Sequence, residues 1–338
     1  MIGVSLDTRM GAQHRWRMCE QSELMRIPNE VRECVAFLAT YRQGVPTSTS
    51  SGFFVCVPLR VPDRVAVYLV TAKHCLYDQS GLAEFVAVRL NTHAGVSETV
   101  LIPTGLWIQH SVSDVAVVPW GPDQTHIKFR ALGVVSVATE SIVADKAIGP
   151  GDDVFVTGLL VHHPGQTRIM PIVRLGCIAA IPDDPVKLQL GKHIGAPIID
   201  EKVVLVEARS IGGISGSPVF VHLPFWRDIA IPPGGGALTF TGSGDVKAYS
   251  GGEHWLLGVM HGFYPVGVND PDGVSAGNTA LNTGIAVVTP ADRMMDIING
   301  PELSKKREEM CVELEKGQMP IPTSASQGLG STADLCDK

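Results

Sequence analysis

The sequence predicts an all-β chain made of two six-stranded antiparallel β-barrels followed by C-terminal helices. Three observations predict it. Short runs rich in Val, Ile, Leu and Phe recur in both halves, separated by Gly, Pro, Asp and Asn. Helical periodicity is scarce before residue 290. The runs fall into two sets of six, and closing each set into a barrel removes the edges that a long open sheet would leave exposed.

In the first half, strands are expected near Glu33–Tyr41, Gly52–Pro58, Val65–Ala72, Phe85–Leu90, Thr99–Pro103 and Val115–Pro119. The second set is expected near Val154–Leu160, Ile169–Ile181, Val203–Glu207, Pro218–Val221, Trp255–Met260 and Gly284–Val288. Between Leu223 and Glu253 the run Pro232, Pro233 and Gly234 to Gly236 holds too many breakers for a core strand and reads as a surface insertion. After the last strand, Pro290 is placed to open a helix at its first turn, with Thr289 as its cap and Ile297 and Ile298 as apolar positions before Gly300. A second, highly charged helix is expected over Glu302–Lys316, packing Met310 and Leu314 on the body. The chain then divides into an extension (1–30), a first barrel (31–120), a linker (121–152), a second barrel (153–289) with an insertion (223–254), helices (290–317) and a polar, disordered tail (318–338).

Composition narrows the function. A chain of 338 residues, 45% hydrophobic and 18% charged, can bury a large core. The net charge of -7, with Lys and Arg scattered, lacks the electrostatic footprint of a nucleic-acid or anionic-membrane partner. No apolar run reaches the roughly 18 to 20 residues that span a bilayer. Residues 1–17 contain no apolar segment of the secretory type, so a cytoplasmic location is expected. Seven cysteines (Cys19, Cys34, Cys56, Cys75, Cys177, Cys311, Cys336) are odd in number and lack a C-x-x-C pair, which suggests free thiols, with no metal and no cofactor.

Three local patterns carry chemistry. They are Thr71-Ala72-Lys73-His74-Cys75, Ser113-Asp114-Val115-Ala116-Val117 and Gly212-Gly213-Ile214-Ser215-Gly216-Ser217-Pro218. A serine hydroxyl is a poor nucleophile until a base takes its proton, and an imidazole is suited to that when a buried carboxylate fixes its tautomer. The order His, Asp, Ser separates this chain from α/β hydrolases, which run Ser, Asp, His, and from subtilisins, which run Asp, His, Ser.

At these residues the sequence resembles the chymotrypsin-like (trypsin-like) serine peptidases. Ser51 to Val55, leading to Tyr68 to Ala72, looks like the strand pair ahead of the catalytic histidine. Gly151 to Gly158 and Asn282 to Val287 resemble second-barrel strands of bacterial cytosolic members. The resemblance implies a serine endopeptidase acting on polypeptides through an acyl-enzyme. Ser215 would be its nucleophile, His74 its general base and Asp114 the orienting carboxylate. It also implies an oxyanion hole made by the backbone N–H groups of Gly213 and Ser215. The pocket for the residue before the scissile bond would have Arg209 at its base and His261 and Gly262 on the facing strand. A guanidinium there would favour Glu or Asp, whereas a structural reading pairs Arg209 with Glu207 or Glu201 and packs His261 near Asp114.

The chain departs from secreted members in two places. No cysteine precedes Gly52 to pair with Cys75, which reads as a small buried thiol whose side chain diverges from its neighbour His74. Ile214 stands where zymogens carry an acidic residue, so no ion pair with a freed N-terminus is expected. Two other readings are a catalytically silent binding or scaffold module and a metal-dependent hydrolase using His162, His163, His193, His254 or His261. For the metal reading no H-E-x-x-H spacing is present. A regulatory protein partner remains unspecified.

Overall fold

The computed structural model describes residue 27 and residues 29–190, 197–208, 213–224, 253–266 and 281–316. Arg209, Gly212, His193 and most of the 223–254 segment lie outside the described residues, as does nearly all of the N-terminal extension.

A short helix, α1 (Asn29–Glu33), leads into the first half. Its strands are β1 (Val35–Arg42), β2 (Val45–Pro58), β3 (Val65–Thr71), the two-residue pair β4 (Tyr77–Asp78) and β5 (Gly81–Leu82), β6 (Phe85–Asn91), β7 (Ser97–Pro103), β8 (Ile108–Gln109), β9 (Ala116–Pro119) and β10 (Leu132–Gly133). All six expected strands form. The β1–β2 turn places Gln43 and Gly44 at φ 51° and 78°, the left-handed pair of a hairpin turn whose twist matches the strands.

The second half contains β11 (Asp153–Gly158), β12 (Ile172–Ala180), the hairpin β13 (Val186–Gln189) and β14 (Ile198–Glu201), β15 (Val204–Glu207), β16 (Pro218–Leu223), β17 (Glu253–Val266) and β18 (Leu281–Pro290). Six of these close into a barrel in the order β11-β12-β15-β18-β17-β16, as expected for this half. The first half differs from expectation. Its strands form one eight-stranded sheet in the order β7-β6-β1-β2-β3-β9-β8, with β10 pairing in parallel beside β2. Among the described residues no ladder joins β7 to β8. The chain leaves β7 through a tight turn at Thr104–Leu106, and β8 has only two residues, both engaged by β9.

The middle of β2, Ser50–Val55, is buried on both faces. Alternate residues of β2 enter different cores, because successive side chains of a strand point to opposite sides. Phe54 joins Leu38, Leu69, Leu90 and Trp120 inside the first half. Phe53 and Val55 join Phe155, Phe220 and Leu256 in a core shared by the two halves. Each fully buried Phe or Leu of this kind contributes about 1.5–3 kcal/mol. Val154, Val156, Val206, Val219, Met260 and Val288 fill the closed barrel.

The stretch read as a linker carries structure of its own. It contains β10 and a helix, α2 (Glu140–Asp145), whose first turn is capped by the Thr139 hydroxyl accepting from the Ile142 N–H. Two further helices follow β18: α3 (Ala291–Ile298) and α4 (Pro301–Glu315). Pro290 is the N-cap of α3 and makes no side-chain capping bond, so Thr289 does not cap it. Thr289 is instead buried at the end of β18. On α4 the fully buried residues are Leu303 and Cys311, whereas Met310 and Leu314 are only half-buried. At about 100° per residue Met310 and Leu314 share the helix face of Leu303, with Cys311 at its margin, so the face turned inward is the expected one with its most buried positions at 303 and 311. Among the described residues no helix is long and apolar enough to cross a membrane. Cys34, Cys56, Cys75, Cys177 and Cys311 are free thiols.

Candidate active site

The site forms where the two halves meet. His74 sits in a single 3-10 turn, Lys73–Leu76, immediately after β3. Asp114 lies in the loop before β9, shaped by the Ser113 N–H donating to His110 Nδ1 (2.8 Å) and the His110 N–H donating to the Val115 carbonyl (2.9 Å). Lys73 Nζ donates to the His110 carbonyl at 2.9 Å, which ties this loop to the His74 turn. Asp114 is fully buried. One of its oxygens, Oδ1, accepts the backbone N–H of His74 at 2.8 Å, and Oδ2 accepts from His74 Nδ1 at 2.7 Å. Burial alone would raise the Asp114 pKa, but the His74 and His261 imidazoles outweigh it and hold the carboxyl well below the usual carboxylate range. Burial would likewise lower the His74 pKa, and the Asp114 charge reverses that and raises it well above the ordinary value.

Ser215 stands on the turn between β15 and β16. This turn is clamped by the first half. Ser51 of β2 donates its N–H to the Ser215 carbonyl (2.8 Å) and its hydroxyl to the Gly213 carbonyl (2.9 Å). The Ser51 hydroxyl also accepts from the Leu159 N–H (2.9 Å), and its carbonyl accepts from the Thr71 hydroxyl (2.7 Å). Gly216 sits at φ 79°, and a Cβ there would lie 2.1 Å from the Ser51 carbonyl oxygen and 2.2 Å from Thr71 Oγ1. Only glycine fits this close crossing. Gly213, at φ 91°, leaves no room either, since a Cβ would meet Val161 Cγ2 at 2.4 Å.

His261, on β17, reaches the same point. Its Nδ1 lies 2.5 Å from Asp114 Oδ2, and its backbone carbonyl accepts the Ser215 hydroxyl at 2.9 Å. The His74 and His261 rings are 5.0 Å apart, edge to face. Among the described residues the Ser215 hydroxyl therefore bonds to the His261 carbonyl and not to His74. His74 Nε2 has Cys75 Sγ at 3.7 Å. The tight turn brings these adjacent side chains together, against the expected divergence, while Cys75 is buried and unbridged as expected.

The structure thus brings His74, Asp114, Ser215, Gly213, Gly262 and His261 together, and Gly262 lies beside the Ser215 hydroxyl. Sequence reasoning missed three residues here: Ser51, His110 and Glu201. Glu201 on β14 is buried, and its Oε2 accepts the Asp114 N–H at 3.4 Å. Burial first, then the Asp114 charge, pushes its carboxyl up to about 7, so near neutrality it is only partly ionised beside Asp114. Ser51 was visible only as the residue before Gly52, and nothing in the sequence marks Glu201 as a neighbour of Asp114.

His74, Asp114 and His261 also have ligand-type atoms within 4.8 Å of one another. Their N···O separations of 2.5 and 2.7 Å are those of direct hydrogen bonds. A tetrahedral ion with bonds of 2.0 to 2.1 Å would need ligand atoms about 3.3 Å apart. The cluster is arranged to share protons.

No family model and no curated protein matches the chain. Several solved structures are similar to it. The apo MamO protease domain from Magnetospirillum magneticum is 17% identical, over 79% of this chain and 96% of that one, with a TM-score of 0.43. The active form of the Rv3671c protease from M. tuberculosis is 14% identical, over 80% and 82%, with a TM-score of 0.40. The serine endoprotease from Yersinia pestis is 14% identical, over 81% and 67%, with a TM-score of 0.39. Two of these neighbours are described as proteases and the third as a serine endoprotease.

Proposed function

We propose that this chain is a serine endopeptidase that cleaves polypeptides through an acyl-enzyme, with Ser215 as nucleophile, His74 as general base and Asp114 as its orienting carboxylate. One observation carries the reading. A fully buried Asp114 fixes both the backbone and the ring of His74, at the place where the β15–β16 turn presents Ser215.

The chemistry follows from that geometry. With Asp114 ionised and accepting from Nδ1, the neutral His74 ring carries its proton on Nδ1 and leaves Nε2 unprotonated as a base, with Cys75 Sγ the group now nearest it at 3.7 Å. The Ser215 hydroxyl leaves the His261 carbonyl, gives its proton to Nε2, and its oxygen bonds to the scissile carbonyl carbon. The carbonyl oxygen becomes an oxyanion, for which the N–H groups of Gly213 and Ser215 are the donors. Neither of them donates to another group among the described residues. Collapse expels the amine with the proton from His74, and water repeats the sequence to release the acid. Losing one oxyanion donor typically costs about 3 kcal/mol of transition-state stabilisation.

Ile214, beside the nucleophile, is buried in the apolar core of the second barrel. It cannot receive a freed N-terminal ammonium, so this reading requires no N-terminal trimming for activity. A polypeptide is the expected partner, in the cytoplasm, without cofactor or metal, and the Arg209 pocket would favour acidic residues.

Incubation with a mixed peptide library, read by mass spectrometry, tests this. Cleavage by the native chain and none by Ser215→Ala is the expected result. Equal cleavage by the two proteins would remove Ser215 as the nucleophile.

A further inference from the structure

We infer that His261 is a positioning residue of the catalytic triad, sharing Asp114 with His74 through its side chain while its backbone carbonyl holds the Ser215 hydroxyl. The inference rests on the triad reading above and extends it to a residue that the motifs do not contain.

The hydrogen-bond inventory makes the case. An ionised carboxylate only accepts, so both imidazoles must donate Nδ1–H to Asp114 Oδ2, and both are held in the same tautomer. The second oxygen, Oδ1, is taken by the His74 backbone N–H. Two histidines from different halves of the fold thus supply the three close donors to one buried anion. Residue 261 holds two members of the triad at once, the anion by its ring and the nucleophile by its carbonyl, so a shift of β17 at this point moves both.

The surroundings leave His261 as the second polar anchor of Asp114. His74 and Cys75 face it from the 3-10 turn, and Asp114 from its loop, backed there by Ser113 and His110. Glu201 from β14 reaches the Asp114 N–H, and Arg293 of α3 lies near enough to lower the Glu201 pKa. Among the described residues none of these replaces the His261 hydrogen bond to Oδ2.

The consequence is directional. A donor on Oδ2 draws negative charge away from His74 and stabilises its protonated form less. Removing the donor should therefore strengthen the pull of Asp114 on His74 and move the acid limb of kcat/KM to higher pH. At the same time the carboxylate loses an anchor, and kcat should fall while KM changes little.

The test compares the native chain with His261→Ala and His261→Asn, since the asparagine amide nitrogen can occupy the place of Nδ1. For His261→Ala the acid limb should rise by roughly half to one pH unit, and kcat should fall about 10- to 100-fold, the effect of one charge-assisted hydrogen bond. His261→Asn should recover most of kcat. Proton NMR gives a readout independent of turnover: two low-field imidazole protons in the native chain and one in His261→Asn. An unmoved acid limb and unchanged kcat in folded His261→Ala would overturn the inference, as would a single low-field proton in the native chain. If His261→Ala fails to fold, His261→Asn decides, because an asparagine no better than a misfolded alanine variant also refutes it. Native protein that cleaves peptides yet shows these negative results sinks the His261 role alone. Native protein that cleaves none takes the triad reading with it.

Discussion

Asp114→Asn is expected to lower kcat by about 10,000-fold while the chain stays folded, the scale seen when a triad carboxylate becomes an amide. The cause is a count of donors and acceptors. Three donors converge on Asp114: the His74 N–H, His74 Nδ1 and His261 Nδ1. An asparagine offers one acceptor oxygen and turns a donating NH2 toward whatever faces its other side. At least one imidazole must then present an unprotonated Nδ1. If that imidazole is His74, its proton moves to Nε2 and the base is lost. The charge that raises the His74 pKa is lost as well. Steady-state kinetics on a peptide identified by the library screen measure this, with circular dichroism as a check on folding. A kcat within 10-fold of native would show that Asp114 does not orient the base.

Gly216→Ala is expected to be among the most destabilising single substitutions in the chain. The added methyl would overlap the Ser51 carbonyl oxygen at 2.1 Å and Thr71 Oγ1 at 2.2 Å, and the first of these is backbone that cannot swing aside. The left-handed φ of 79° adds its own cost of about 1–2 kcal/mol. Overpacking adds about 1–3 kcal/mol more. A loss near 3 kcal/mol corresponds to roughly 4 °C in Tm for a chain of this size. Gly44→Ala is the control, because φ there is 78° and nothing lies within 4 Å of the added atom. It should show only the φ cost, about 2 °C. Equal shifts in the two variants would mean that the turn tolerates the methyl, and that the Ser51 clamp does not fix its position.

The strands were legible because their local pattern is strong. Val65–Thr71 and Val154 to Gly158 read as apolar runs bounded by turn residues, and they form where expected. Closure of the first sheet was not legible. It depends on which edges meet, here the two-residue β8 and the turn at Thr104–Leu106, and alternation along a strand does not encode that. The inward face of α4 was legible from Met310 and Leu314, which are half-buried, but not that Leu303 and Cys311 on or beside the same face are its fully buried positions.

At the site, the three motifs gave the convergence of His74, Asp114 and Ser215, each beside the strand it needs. What they could not give were contacts made across 87 to 162 residues of chain. Glu201 meets the Asp114 N–H and Ser51 meets Gly213 at such separations, whereas His261 packs near Asp114 as the sequence reading allowed. Each of these residues is ordinary in its local sequence and acquires its role from the packing of the two halves. The proximity of Cys75 Sγ to His74 Nε2 was missed for a different reason, since a 3-10 turn brings neighbours closer than an extended strand does.

The central claim is that Ser215 is an activated nucleophile. Reaction with a fluorophosphonate, located by peptide mapping and quantified by intact mass, tests it most directly, because an ordinary surface serine does not react. One adduct per chain on Ser215, absent in Ser215→Ala and strongly slowed in His74→Ala, is the predicted result. A folded native chain that takes up no adduct, or one labelled equally in Ser215→Ala, would contradict the account.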